Sequence, residues 1–360
     1  MQALAGLADE MFARGIGSGA AISVGDAGRE VARLCTGVTR RLPTAGGLVD
    51  ERTWFDVASL SKPMATVACA MVLAGDGALD LDAPIRRWLP AAASTGSVRQ
   101  LLGHAAGCAA HVEFFRRLAV GDHPDPRAEL VEMASTEPAN LPGVSAVYSD
   151  LGYLMLGAII ERAAGAPLED AFRTLVAEPL GLAARYPGTT ALPGSVATEL
   201  DERTGAPAVV EGRVHDENAY FGGGICGHAG LFARIGDVAT FAAAIIDTAH
   251  GTPRGRLRTD VVTRFLTDSA ASGASWRLGW DTPSTTPGVS HAGDRWPRTG
   301  SVGHLGFTGT SLWLDLPRRR WVALLTNRVH PTRHGPSAEA IKALRRAVND
   351  TACELLDARR

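Results

Sequence analysis

The chain has 360 residues, with 36 Lys+Arg against 38 Asp+Glu, so its formal charge of −2 leaves no basic surplus for nucleic acid or an anionic membrane. With 46 % apolar and 21 % charged residues the composition is that of a folded, globular chain and excludes a disordered one. The length allows one large fold or two intertwined subdomains.

In chain order, residues 3–14 read as a short amphipathic helix. Gly19–Val24 and Glu30–Gly37 read as a hairpin, with Gly25-Asp26-Ala27-Gly28 as its turn. From Ser59 to Leu73 dense apolar residues predict a buried helix, ended by Gly75-Asp76-Gly77. Helices are expected over 126–135, 149–164, 168–178 and 236–247, while 183–230, rich in Gly, Pro and charge, reads as a long loop of functional length. After Trp276 the pattern turns to strands: Ser311–Leu316 and Trp321–Asn327 form a hairpin around Pro317-Arg318-Arg319-Arg320, and a helix over 337–356 follows. Strands near both ends with helices between them predict an α+β fold. Its antiparallel sheet is flanked by N- and C-terminal helices, and a mainly helical domain is inserted. The expected division is 1–78 plus 240–360 for the first domain and 79–239 for the second.

The first residues suggest no secretory leader, because no Lys or Arg precedes Arg14 and Asp9 and Glu10 lie close by. The longest apolar runs, near 64–74 and 151–160, fall short of the roughly 20 residues a membrane span needs. Five scattered cysteines form no Cys-x-x-Cys pair or disulfide framework. A cytoplasmic location and no membrane association are therefore the expectations.

One compositional oddity points to chemistry. Only two basic residues are lysines, Lys62 and Lys342, and the rest are arginines. Lys62 closes Ser59-Leu60-Ser61-Lys62, and residues three apart on a helix share a face, so Ser59 Oγ and Lys62 Nζ can meet. Pro63 is tolerated only in a first turn, which places the helix start near Ser59. A serine there gains from the helix dipole and from unpaired amides that can hold an oxyanion. Its hydroxyl needs a base, and a lysine that burial strips of its proton can serve where a permanently charged arginine cannot.

Two further segments could join this pair. Tyr148-Ser149-Asp150 precedes the helix Leu151–Gly157; a tyrosine at such a junction can shuttle a proton, or Tyr148 is simply a half-buried aromatic with Asp150 as helix cap. Gly303-His304-Leu305-Gly306-Phe307-Thr308-Gly309-Thr310 leads into a strand whose glycines let a ligand approach and whose free amide could complete an oxyanion hole.

In this order the three segments resemble the serine β-lactamase and penicillin-binding protein superfamily, in the branch that holds class C β-lactamases, D-alanyl-D-alanine carboxypeptidases and family eight esterases. Val98-Arg99-Gln100-Leu101-Leu102-Gly103-His104-Ala105-Ala106-Gly107, Tyr148–Gly165 and Leu324-Leu325-Thr326-Asn327-Arg328 are similar to further stretches of that branch. The resemblance implies Ser59 as the acylated nucleophile, with its own amide and that of Phe307, next to Gly306, as the oxyanion hole. It implies Lys62 and Tyr148 as the acid–base pair, and Asp150 and His304 as cleft residues that orient substrate. Asp150 stands where Asn is commoner and adds a negative charge. His304 stands where a lysine helps hold the β-lactam carboxylate, and an imidazole holds an anion less firmly. Arg295 and Arg298, just upstream, are candidates to supply the lost charge.

Other patterns weigh less. His104, Cys108 and His111 have the spacing of ligands on one helix face, but Gly103 and Gly107 argue against a regular helix, so no metal is expected. His215-Asp216-Glu217-Asn218 and Gly222–His228 read as a loop folded over a cleft. Gly15-Ile16-Gly17-Ser18-Gly19 follows a helix and precedes a strand, the wrong order for a dinucleotide turn. The expectation is a cofactor-independent serine hydrolase working through an acyl-enzyme at Ser59, on a small ester first, with D-alanyl peptide or β-lactam turnover as the alternative. A non-catalytic penicillin-binding or sensor module is the reading from a different class.

Overall fold

The computed structural model describes residues 2–203, 205–334 and 337–359. Helix Gln2–Ala13 leads into strands β1 (Gly19–Asp26) and β2 (Arg29–Gly37), joined by Ala27 and Gly28, both at positive φ as a tight hairpin requires. A two-residue strand β3 (Phe55–Asp56) precedes the helix Ala58–Gly75. The middle of the chain is helical, with helices Pro126–Thr136, Asp150–Ala164 and the continuous run from Leu168 to Leu180 among its elements. Within 183–230, expected as loop, lie strands β4 (Ala197–Asp201) and β5 (Ala208–Glu211) and helix Glu217–Phe221. Strand β6 (Phe232–Ala233) pairs with β3, and helices Ile235–Ala249 and Thr259–Thr267 follow. Strands β7 (Ser301–Leu305), β8 (Ser311–Asp315) and β9 (Arg320–Thr326) and helix Ser337–Asp357 complete the chain.

The main sheet has the order β2-β1-β9-β8-β7 and is antiparallel throughout, so both chain ends build it. Ile22 faces Leu34 on one side and Leu324 on the other. Side chains alternate along β9: Val322 and Leu324 pack under the terminal helices with Leu4, Ile341 and Leu344, while Ala323 and Leu325 face Phe241 and Ile245 of helix Ile235–Ala249. Burial on both faces explains why these strands read as continuous apolar runs rather than alternating ones. Asn327 ties the ends together, accepting from the Ser18 and Gly19 amides and donating to Ala197 O.

The helix Ala58–Gly75 runs through the larger core, 83 % of it buried inside the protein. Its apolar length is thus that of a core helix. It opens with the tight turn Ala58–Leu60, widens over Lys62–Val67 and becomes regular from Ala68, so Pro63 sits in its first turns as expected. At the start of helix Asp150–Ala164 the cap is Ser149, whose side chain accepts from the Gly152 amide; Asp150 is left free for another role.

Candidate active site

Ser59 occupies the second position of its helix, directly after Ala58, a non-glycine residue at φ +49°. A left-handed alanine is strained and needs its surroundings to hold it. Asp56 does so: Oδ1 accepts from the Ala58 amide at 2.8 Å and Oδ2 from the His215 amide at 2.7 Å. From the opposite side the 306–310 turn is stitched to the same segment. Thr308 Oγ1 donates to Asp56 O and Thr310 Oγ1 to Val57 O, each at 2.9 Å. The buried Arg345 donates to Gly306 O and Thr310 O at 2.6 and 2.8 Å. Gly306 is required here, because a Cβ would collide with Thr310 Oγ1 and stand 2.6 Å from Val57 O. Phe307 follows, and it borders the same cleft as Ser59.

That cleft encloses about 280 Å³ and is walled by Ser59, Tyr148, Asp150 and Phe307 together with His111, His215, Asp216, Glu217 and Arg333. Lys62 lies beneath the wall, fully buried, with Nζ 3.2 Å from Ser59 Oγ, 2.7 Å from Asp150 Oδ1 and 3.2 Å from His228 O. The Tyr148 phenol interacts with both Lys62 and Ser59, and Lys62 Nζ sits 4.7 Å from the centre of its ring. Sequence positions 59, 62, 148 and 150 therefore meet in one place.

Three acceptors around one Nζ match the three protons of an ammonium. Burial alone would strip Lys62 of its charge, but the Asp150 carboxylate, and then Tyr148, outweigh it and hold the lysine above its ordinary value. Asp150 is held well below the usual carboxylate range; burial opposes this, and the charge of Lys62 and the hydrogen bond of His111 overcome it. The Asp150 carboxylate thus opposes the deprotonation that burial of Lys62 alone would favour. Desolvation raises Tyr148, with the Lys62 charge working the other way.

His304 is buried and does not belong to the cleft wall; it lies behind Tyr148, ring centres 5.9 Å apart, against Trp276 at 5.6 Å. Its Nδ1 lies 2.8 Å from Leu305 O, an acceptor, so Nδ1 carries the proton and Nε2 a lone pair. Burial and then the Lys62 charge push its pKa down to about 3, so it is neutral. His104 packs on Tyr148, Tyr153 and Trp276 with centroids 4.5–5.0 Å apart, and burial holds it neutral too. Arg295 and Arg298 supply no charge here, being engaged with Glu354 and Asp294. Arg333 is the cleft's guanidinium instead, bonded to Glu199 and Glu217 beside Phe307.

The loop pattern 215–228 contributes more than turn chemistry. His228 is buried with Nε2 2.9 Å from Asp216 Oδ1; burial opposes its charge, but Asp216 overcomes that and takes it up to about 10. Burial likewise opposes the Asp216 anion, and the His228 charge takes it down to about 2. His215 stacks on Phe307, ring centres 5.7 Å apart. Among the described residues no group of three His, Cys, Asp or Glu side chains is placed to hold a metal ion.

A helix that carries a Ser–Lys pair facing a tyrosine, set between an antiparallel sheet and a helical layer, is the architecture of the serine β-lactamase-like hydrolases. The chain belongs to the family described as Beta-lactamase, whose profile matches residues 5–346. An Escherichia coli K12 protein provisionally named D-alanyl-D-alanine carboxypeptidase is 28 % identical over 308 residues, 77 % of this chain and 70 % of that protein. The solved structure of EstCE1, titled a hydrolase with promiscuous acyltransferase activity, superposes with a TM-score of 0.72 at 21 % identity, covering 97 % of this chain and 98 % of that one. A class C beta-lactamase structure does so at 0.69 and 16 % identity, covering 96 % and 94 %. Those two likenesses establish the fold, which is the α+β architecture expected.

Proposed function

We propose that the protein hydrolyses small uncharged esters through an acyl-enzyme at Ser59. Ser59 Oγ attacks the ester carbonyl and passes its proton to the Tyr148 phenolate, which the Lys62 ammonium stabilises. The tetrahedral oxyanion falls at the helix start, where the Ser59 and Phe307 amides are the donors. Tyr148 then hands the proton to the leaving alkoxide, and water releases the acyl group.

The observation that carries the choice of substrate is where the cations are committed. Lys62 is bound by Asp150, Arg333 by Glu199 and Glu217, and His304 is neutral and buried behind Tyr148. A carboxylate-bearing substrate such as a β-lactam or a D-alanyl peptide would have to break one of these pairs; an uncharged ester needs no anchor. The second reading, D-alanyl peptide turnover, rests on Arg333, which borders the cleft, and on the names of the curated relatives.

The test is a comparison of p-nitrophenyl acetate and butyrate with a chromogenic cephalosporin and a D-alanyl-D-alanine peptide, scored by kcat/KM. Preference for the esters by at least about 10²-fold supports the proposal. Preference for the peptide or the cephalosporin selects the second reading. No turnover and no adduct with any of them leaves the binding-module reading.

A further inference from the structure

With Lys62 held in an ion pair by Asp150, the cleft groups able to take a proton from a hydrolytic water are Tyr148, beside Ser59, and His111. Tyr148 interacts with Ser59 itself, so it can pass a proton to and from Oγ, and a water approaching from the open side of the cleft needs a base on that side. On that side stands His111, in the segment after Gly107, with its side chain 45 % exposed. Its Nδ1 lies 3.4 Å from Asp150 Oδ2, the carboxylate oxygen not used by Lys62. The contact is long for a hydrogen bond, as catalytic contacts in unliganded sites often are. A carboxylate can only accept, so Nδ1 carries the proton and Nε2 presents its lone pair.

We propose that His111 is the general base of deacylation, taking a proton from the water that attacks the Ser59 acyl ester, with Asp150 orienting the imidazole. This rests on the acyl-enzyme reading above. The water oxygen bonds to the acyl carbon as one of its protons moves to His111 Nε2. The C–Oγ bond then breaks, and its electron pair returns to Ser59 Oγ, which takes a proton from the Lys62 ammonium 3.2 Å away. The product leaves as the carboxylic acid. His111 releases its proton to solvent and Lys62 regains one, which restores the starting state. Asp150 thereby holds the Lys62 ammonium with one oxygen and orients His111 with the other, stabilising the imidazolium as it forms, which an asparagine could not do by charge.

The groups facing His111 set its titration: Asp150 foremost, whose hydrogen bond raises it, then Asp216 and His228 across the cleft, with Glu113 on its own segment. Deacylation should therefore show an acid limb at or above the ordinary histidine value, falling as His111 is protonated.

The test follows the acetyl-enzyme formed from p-nitrophenyl acetate by intact mass in wild type, His111→Ala and His111→Gln, after rapid removal of substrate. The expected result is acylation within about threefold of wild type, deacylation slower by about 10²-fold, and loss of its acid limb. Added imidazole should restore acetyl loss in His111→Ala, where the space it needs exists, which a purely structural histidine would not allow. Deacylation unchanged in both variants, or slowed with no response to imidazole, overturns the assignment. If the wild type forms no Ser59 adduct, the acyl-enzyme reading fails and this inference with it. A wild-type adduct beside unaltered variants removes the inference alone.

Discussion

Asp150 Oδ1 accepts a 2.7 Å hydrogen bond from Lys62 Nζ, and the two residues form an ion pair directly behind the candidate nucleophile. The pair changes what the lysine does. It donates to Ser59 and lends positive charge to Tyr148, while in the proposed mechanism proton removal from the serine falls to the Tyr148 phenolate. Because desolvation raises that phenol, the rate of acylation should climb toward alkaline pH.

Asp150→Asn tests this directly. The carboxylate raises both Lys62 and Tyr148, so its removal should lower both. The alkaline limb of kcat/KM for acylation should then move to lower pH by about one unit. No shift, or a shift upward, contradicts the assignment of Tyr148 as the acylation base.

Lys62→Met should remove the cation and strand a largely buried carboxylate, costing about 3–5 kcal/mol of stability. The double variant Lys62→Met/Asp150→Leu should recover most of that loss in urea titrations without recovering activity. Lys62→Arg should be nearly as inactive as Lys62→Met, because a planar guanidinium cannot occupy a pocket whose three acceptors surround one nitrogen. A stable, active Lys62→Arg variant speaks against the geometry described.

The His228–Asp216 pair makes a pH prediction for folding. The His228 imidazole is pushed from its ordinary 6.5 up to about 10 in the fold, so its stabilisation is complete below about 6.5 and is lost as pH rises toward about 10. Asp216 moves from 3.8 to about 2, so its share is present above 3.8 and lost as pH falls through about 2. Chemical-denaturation midpoints should decline from about pH 7 to pH 10 in the wild type, and less steeply in His228→Gln. Parallel profiles would show that the pair is not the cause.

Gly306→Ala should push the 306–310 turn away from the segment before Ser59, because the added methyl meets Thr310 Oγ1 and Val57 O. With the Phe307 amide displaced, kcat should fall by about 10²-fold while KM changes little. A near-normal kcat would place the oxyanion donors elsewhere.

Much of the fold was legible because local chemistry announces it. Ala27 and Gly28 mark the first hairpin, Pro63 the start of the central helix, and apolar periodicity the helices over 126–136 and 150–164. The small β4–β5 hairpin was not, since its strands are short and the segment is rich in charge, Gly and Pro. At the candidate site, motif spacing marks Ser59, Lys62, Tyr148 and Asp150 in the sequence, and the fold brings the four together. The ion pair of Lys62 has no signal in the sequence, because its partner lies 88 residues away, beyond what burial arguments along one helix can see. His111 carries a sequence signal only through its spacing from His104 and Cys108, a ligand-like pattern that the glycines at 103 and 107 argue against. Its actual neighbour, Asp150, lies 39 positions further on. Arg333 and the threonine stitches at 308 and 310 had no sequence signal that sets them apart from other surface and loop residues.

The central claim is that Ser59 is acylated during turnover. Intact mass of the wild type and Ser59→Ala, quenched during steady-state hydrolysis of p-nitrophenyl butyrate and followed by peptide mapping, tests it most directly. The account predicts one butyryl group per wild-type chain, mapped to Ser59, and neither adduct nor turnover in a folded Ser59→Ala. Undiminished hydrolysis by Ser59→Ala, or an adduct mapped to another residue, would contradict it.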